Sequence, residues 1–151
     1  MTSDSSTLPV SNLIDALPSD ARNQLAIHGE FHQAQPGDTI LEQGKSRRAL
    51  LYLISGEFEA RREDQGQTLV LGKIPSGEWV GEVDLIDGGT AVCSVVATLP
   101  SHYWWIERDS LDAFIQARPA DGNILLNSLA LVLCRRIRDV TRKLAWRSLI
   151  S

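Results

Sequence analysis

The chain has 151 residues, of which 43% are hydrophobic, and its formal net charge is −4. This size and apolar content suit one domain with its own core, without disulfides or a metal as supports. The negative charge argues against general nucleic-acid binding. The sequence contains no run of 18 apolar residues and no leader pattern, so we expect a cytoplasmic protein without a membrane partner.

Residues 1–9 are polar and Ser-rich, and we expect them to be flexible. Apolar residues at helical spacing then predict two short helices, which end before Gly29. From Gly29 the period changes to 2, and Gly, Pro and Asp recur between short extended segments. These segments are residues 31–34, 39–42, 50–54, 58–62, 68–74, 91–97 and 103–106. About eight short strands at this spacing predict a β-sandwich or β-barrel.

The helical period returns after Glu107. One helix is predicted to end at Pro119, and Asp121 is predicted to cap the last and longest helix, which reaches about Trp146. We therefore divide the chain into residues 1–9, residues 10–120 with the strands and their flanking helices, and residues 121–151 as a C-terminal helix.

Residues 81–97, here called the cassette, hold the most informative local pattern. A Gly-Glu pair opens one helical turn, and a Gly-Gly loop then leads into an apolar strand. Free backbone N–H groups of a short turn are a common way to bind a small anion. Residues 74–107 nevertheless contain no Lys or Arg, and their acidic residues are Glu78, Glu82, Asp84, Asp87 and Glu107. The cassette has the form of a phosphate cradle without its cation.

Two blocks of the chain together resemble the cyclic-nucleotide-binding domain. The first comprises Pro36-Gly37-Asp38-Thr39-Ile40, Gly44 and residues 51–58, and the second is the cassette. The likeness extends from about Val10 to Arg147. The strand pattern and the resemblance imply a mainly β fold, an eight-stranded jelly-roll (cupin-like) β-roll flanked by N-terminal helices and a long C-terminal helix. The resemblance also implies a regulatory or sensor module of the catabolite-activator-like kind.

The resemblance assigns roles within the cassette. Glu82 falls on the acid that holds the ribose 2′-hydroxyl, Ala91 on the Arg that pairs with the cyclic phosphate, and Val92 on a small hydroxyl residue. Asp84 stands where a small neutral residue is usual. The candidate ligand-binding residues of this degenerate cassette are Gly81, Glu82, Val83, Asp84, Thr90, Ala91 and Val92.

Loss of one partner of a desolvated charge pair costs about 2–5 kcal/mol. We therefore expect that neither cyclic AMP nor cyclic GMP binds in the usual way. We also expect no cofactor. Arg47, Arg48 and Arg61 are candidate replacement cations, and Trp79 is a candidate pocket residue.

The last helix carries two apolar stripes. Leu125, Leu129 and Val132 are expected to pack on the roll. A seam of heptad spacing is formed by Leu126, Ala130, Leu133, Ile137, Val140 and Leu144. In the catabolite-activator group the equivalent helix pairs with its twin, so a homodimer through this seam is expected. The alternative is a helix folded back onto its own roll.

Residues 135–151 carry six basic side chains and one acidic side chain. Cations near a helix C-terminus complement its dipole, and they also suit an acidic surface of a regulatory protein partner. DNA binding is not expected, because no helix-turn-helix follows the last helix in this sequence.

Enzymatic activity is not expected. A metal-dependent cupin needs two or three clustered histidines with a carboxylate, whereas His28, His32 and His102 are scattered. Cys93 and Cys134 lie in apolar segments and are predicted to be reduced core thiols. The primary hypothesis is a regulatory module without an output domain. The alternative is a ligand-free pseudo-receptor that acts as a dimeric scaffold, and a lower alternative is an atypical binder of a cyclic nucleotide or another small ligand.

Overall fold

A computed structural model describes residues 16–150 of the chain, and side chains through residue 146. The elements in chain order are α1 (Ser19–His28), β1 (Glu30–Ala34), β2 (Thr39–Leu41), β3 (Ala49–Ser55), β4 (Glu57–Asp64), β5 (Gln67–Pro75), β6 (Trp79–Val80), α2 (Glu82–Asp87), β7 (Ser94–Ala97), β8 (Ser101–Glu107), α3 (Arg108–Ala117) and α4 (Pro119–Ile150). Residues 1–9, which the sequence predicts to be flexible, lie outside the described residues, and so does most of the first of the two predicted N-terminal helices.

The strands form two four-stranded antiparallel sheets. The first has the order β1-β8-β3-β6 and the second the order β2-β7-β4-β5. The prediction of an eight-stranded β-roll flanked by helices is confirmed. Strand β6 is only two residues long, and its brevity explains why no alternating pattern predicted it.

The roll has two apolar layers, and β8 contributes to both because its side chains alternate between faces. Tyr103 belongs to the layer between the two sheets. Trp104 and Ile106 point the other way, into a layer shared with the helices. Full burial of a side chain of this size contributes about 1.5–3 kcal/mol, so the helices are an integral part of the fold.

Helix α4 begins at Pro119, two residues before the predicted cap at Asp121. Proline suits the first position of a helix, where its missing N–H would have no partner. The Arg118 guanidinium, between α3 and α4, pairs with Asp121 at 2.7 Å and with Asp20 of α1 at 2.7 Å. Leu125 and Leu129 are each 1% exposed, so the first half of α4 is fixed on the roll as predicted.

The strand predicted over residues 91–97 is shorter, because β7 begins only at Ser94. Residues 91–93 form a loop that is held by hydrogen bonds between Ala91 and the distant Gly44–Lys45 turn. The Ala91 N–H donates to the Lys45 carbonyl at 3.0 Å, and the Ala91 carbonyl accepts from the Gly44 N–H at 3.0 Å. Within residues 16–150, we find no helix that is both long and apolar enough to cross a membrane.

Candidate functional site

The cassette keeps a well-defined backbone. Gly81 precedes α2 with φ at 89°, a conformation that favours glycine. A Cβ atom there would also collide with the carbonyl oxygen of Ala49. At the other end of α2, Arg108 Nη1 donates to the carbonyl of Leu85 at 3.1 Å. This geometry holds the helical turn between β3 and the start of α3.

A cavity of about 100 Å³ lies beneath the cassette. Its lining consists of Leu41, Val80, Gly81, Glu82, Val83, Asp84, Ala91, Val92, Cys93, Val95 and Arg136. The structure thus gathers all the predicted cassette residues except Thr90, which is exposed and outside the lining. Ala91 is buried, whereas Val92 is 58% exposed at the rim. The role of these residues in ligand binding stays a prediction.

Arg136 supplies a cation that the sequence analysis did not place at the site. It extends from α4, and its Nη1 donates to Oε1 of Glu82 while its Nη2 donates to the carbonyl of Trp79. Glu78 Oε2 lies 3.7 Å from the same guanidinium. The Glu82 side chain is only 5% exposed. The carboxylate that the family resemblance assigns to a ribose is therefore already paired within the protein.

The candidate replacement cations are engaged elsewhere. Arg47 lies 4.0 Å from the centroid of the Trp105 ring, and Arg61 Nε pairs with Glu59 at 2.7 Å. Neither of them lines the cavity, and nor does Arg48. The structure therefore brings none of the three candidate cations to the cavity.

Asp84 is the second buried acid of the cavity. It is 4% exposed, and its Oδ2 has no hydrogen-bond partner. Burial raises the pKa of this carboxyl above its usual value of 3.8, and the nearby charges of Glu82 and Asp87 raise it further. Glu82 likewise keeps one oxygen, Oε2, without a partner. The site of the expected phosphate is thus lined by acids.

We expect the Asp84→Asn variant to be more stable than the wild type at pH 7, by about 1–3 kcal/mol, because it removes a buried charge without changing the volume. The raised pKa makes the folded state bind more protons than the unfolded state above pH 3.8, so wild-type stability falls as the pH rises through that window. The stability advantage of Asp84→Asn over the wild type should therefore decrease as the pH falls toward 3.8.

Urea unfolding at pH 7 and at about pH 3.5 measures this difference. Asp87→Asn is the matched control, because Asp87 is exposed on the same helix. A less stable Asp84→Asn variant at pH 7 would show that the ionised carboxylate is stabilised in the folded protein.

Trp79 does not line the cavity with its ring. The side chain is 3% exposed and belongs to the layer shared with the helices, with ring centroids 4.7 Å from Tyr52 and 6.2 Å from Trp104. Its backbone carbonyl accepts from Arg136, and Trp79 lines a neighbouring pocket of about 470 Å³ that also includes Arg136, so its role as a pocket residue stays a prediction.

The cysteines and histidines do not form a further centre. Cys93 is half-buried in the cavity wall, whereas Cys134 is exposed on α4, so the prediction of a core thiol is wrong for Cys134. Within the described part of the chain, no group of three or more His, Cys, Asp or Glu residues has the geometry for a metal ion.

The predicted seam of α4 lies on the surface of the monomer. Leu126 is 43% exposed, Ile137 64% and Val140 56%. An apolar groove of about 500 Å³ separates this seam from α2, and Val83 and Ile86 form its other wall. The alternative in which the seam packs on its own roll is not observed.

Comparison with known proteins gives a consistent family. Residues 31–118 match the model of the cyclic nucleotide-binding domain. The catabolite activator protein of Thermus thermophilus has a similar structure, with a TM-score of 0.80, 27% identity, and coverage of 91% of this chain and 63% of that chain. A cyclic nucleotide-binding domain from Methylobacillus flagellatus KT gives a TM-score of 0.82 at 23% identity and covers 87% and 74%, respectively.

Among curated sequences, this chain is similar to the CRP-like cAMP-activated global transcriptional regulator of Mycobacterium tuberculosis. The two are 29% identical over 126 residues, which cover 80% of this chain and 54% of the regulator. The chain spans 16–54% of the length of the curated relatives that it matches.

Proposed function

Because the chain belongs to the cyclic nucleotide-binding domain family, we propose that it is a regulatory module whose cassette is closed by its own C-terminal helix. The observation that carries this proposal is the pairing of Arg136 with Glu82. A cyclic nucleotide would need the Glu82 carboxylate for its ribose, and Arg136 occupies one oxygen of that carboxylate. The Arg136 guanidinium thus occupies part of the position that a bound ligand would take.

Three further features oppose the binding of cyclic AMP or GMP. The cavity directly beneath the cassette, at about 100 Å³, is smaller than the ~300–1,000 Å³ of typical ligand sites, and Arg136 lies in the wall that it shares with a neighbouring pocket of about 470 Å³. Ala91 and Val92 offer no side-chain hydrogen bond to a phosphate, and Asp84 would repel one. A nucleotide would also have to displace Arg136, and hydrogen bonds to charged groups contribute about 1.5–3 kcal/mol each.

The signal of such a module would leave through α4. Its first half is fixed on the roll, its middle reaches the cassette through Arg136, and its seam is exposed on the surface of the monomer. We propose that the seam pairs with a second copy and that Arg135, Arg138 and Arg142 present positive charge to an acidic regulatory partner. DNA binding and catalysis are not part of this proposal, and a cytoplasmic location suits it.

A second candidate function is an atypical receptor for a cyclic nucleotide. It is favoured by one observation: Arg136 is a cation at the cavity wall. If the Arg136 guanidinium turned from Glu82 to a phosphate, the cassette would gain the missing cation. The same movement would release the Glu82 carboxylate to bind the ribose. The two candidates therefore assign opposite consequences to removal of Arg136.

We expect the wild type to show no saturable binding of cyclic AMP, cyclic GMP or cyclic di-GMP at low micromolar concentration in calorimetry. Arg136→Ala should lower the free energy of unfolding by about 1–3 kcal/mol, because it leaves Glu82 buried without its partner. This range is below the ~3–5 kcal/mol for a fully buried pair because the Arg136 side chain is 38% exposed.

Arg138→Ala is the control on the same helix, and as an exposed substitution it should change stability by no more than about 0.5 kcal/mol. An unchanged stability in Arg136→Ala would contradict closure by this residue. Micromolar binding by the wild type that disappears in Arg136→Ala would instead support the atypical receptor.

A further inference from the structure

We propose that the cavity beneath the cassette binds a small monovalent cation of the ammonium type, held by Asp84 and Glu82. This inference goes beyond the proposed regulatory function and applies to the closed cassette. Two carboxylates that are each 4% exposed line the cavity. Each has one oxygen without a hydrogen-bond partner, Oε2 of Glu82 and Oδ2 of Asp84. Buried acceptors of this kind favour a guest that donates hydrogen bonds.

The charges around the cavity favour a guest with one positive charge. Arg136 neutralises Glu82, so the charge of Asp84 remains without a counter-ion inside the cavity. Asp87 is exposed to solvent, and Arg62 is exposed outside the lining, where it donates to the carbonyl of Val92. One monovalent cation therefore balances the buried charge.

Size and lining narrow the class of guest. A cavity of about 100 Å³ is small for a ligand site, so it favours a small cation such as ammonium or methylammonium. Leu41, Val80 and Val95 provide an apolar wall for a methyl group. A divalent metal is disfavoured, because Ca²⁺ takes about 6–8 oxygen ligands and the cavity lining offers two carboxylates beside a guanidinium. An N–H donor with a short alkyl group is the better match.

The test is a titration of the full chain with methylammonium chloride at constant ionic strength, followed by NMR at the amide signals of Val83 and Ala91. Tetramethylammonium chloride is the control ligand, since it has the same charge but no N–H donor. We expect saturable shifts with methylammonium only. Asp84→Asn should weaken the binding at least tenfold, whereas Asp87→Asn should leave it within twofold.

Ala91→Arg provides a second test that does not remove an acid. Ala91 is buried in the cavity wall, so the guanidinium of the new Arg side chain would lie beside the two acids and neutralise them. The NMR shifts on addition of methylammonium should therefore be lost. Equal responses to the two ammonium salts, or full binding by Asp84→Asn, would overturn the proposal as a general salt effect. Tighter binding of Mg²⁺ would overturn the assigned class of cation. These results would not contradict the proposed closure of the cassette by Arg136 and Glu82, because Arg136→Ala tests that contact separately.

Discussion

A glutamate at Leu133 or Ile137 is expected to convert a dimer of this protein into monomers. Both residues lie at the centre of the α4 seam, where a twofold dimer would bury each introduced charge twice. Ile137 is 64% exposed in the monomer, so Ile137→Glu should leave the fold of the single chain unaffected. An unpaired buried charge costs about 3–5 kcal/mol, which corresponds to a dissociation constant raised roughly 100-fold or more.

Leu131→Glu is the matched control. Leu131 is 57% exposed on the same helix but lies outside the heptad positions of the seam, so this variant should stay dimeric. Sedimentation equilibrium of the wild type and the three variants measures the result. A monomeric wild type, or dimers of unchanged affinity in both seam variants, would exclude the seam as the interface.

The fold could be predicted because its signals are local. Short segments rich in apolar residues, such as β3, lie between Gly and Pro turns, and the helices restore the 3.6-residue period. The start of β7 could not be predicted, because residues 91–93 are apolar enough for a strand. Hydrogen bonds from the distant Gly44–Lys45 turn keep them as a loop. Long-range contacts of this kind leave no pattern in the segment itself.

The cassette could be predicted as a site, but its cation could not be found by a search near it. Arg136 lies 54 residues from Glu82 along the chain. A signal was nevertheless present: Leu125, Leu129 and Val132 are spaced 4-3, and a further step of four reaches Arg136. The predicted stripe ended at Val132, its last apolar residue. A long, half-buried charged side chain can continue such a face, because its stem packs while its head finds a partner.

The burial of Glu82 and Asp84 was equally hidden in the sequence. A run of acids next to a Gly-Gly loop is ordinarily a solvated surface, and the sequence gives no measure of exposure. The structure shows that both residues are only 4% exposed. The charge of Asp84 is therefore more costly than a surface charge, because it has no partner in a low-dielectric site, whereas Glu82 is paired with Arg136.

Cyclic-nucleotide binding should be restored only when the missing cation is added and Arg136 is also removed. The repaired variant combines Ala91→Arg and Val92→Ser, which return the phosphate contacts, with Asp84→Ala, which removes the repulsion. Ala91 is 7% exposed in the cavity wall, so the new guanidinium starts from the right place. This triple variant should bind weakly, since Arg136 still occupies Glu82.

Addition of Arg136→Ala to the triple variant should enlarge the cavity and leave the Glu82 carboxylate available for the ribose. We expect its affinity for cyclic AMP to exceed that of the wild type by about 30- to 3,000-fold, the equivalent of one restored desolvated charge pair. Calorimetry measures the affinity, and circular dichroism confirms that the roll is intact. Glu82→Ala in this background should weaken binding again by about 1–3 kcal/mol, the contribution of a hydrogen bond to a charged acceptor.

The outcomes of this series separate the roles of the two cations. If the triple variant binds as tightly as the quadruple variant, Arg136 is easily displaced and the closure of the cassette has little energetic weight. If the quadruple variant is folded but binds nothing, the cavity of about 100 Å³ is too narrow even without the guanidinium. Micromolar binding by the wild type would instead mean that Arg136 leaves Glu82 for the phosphate. In that case Arg136→Ala alone should abolish binding, whereas Ala91→Arg in the same background should recover it.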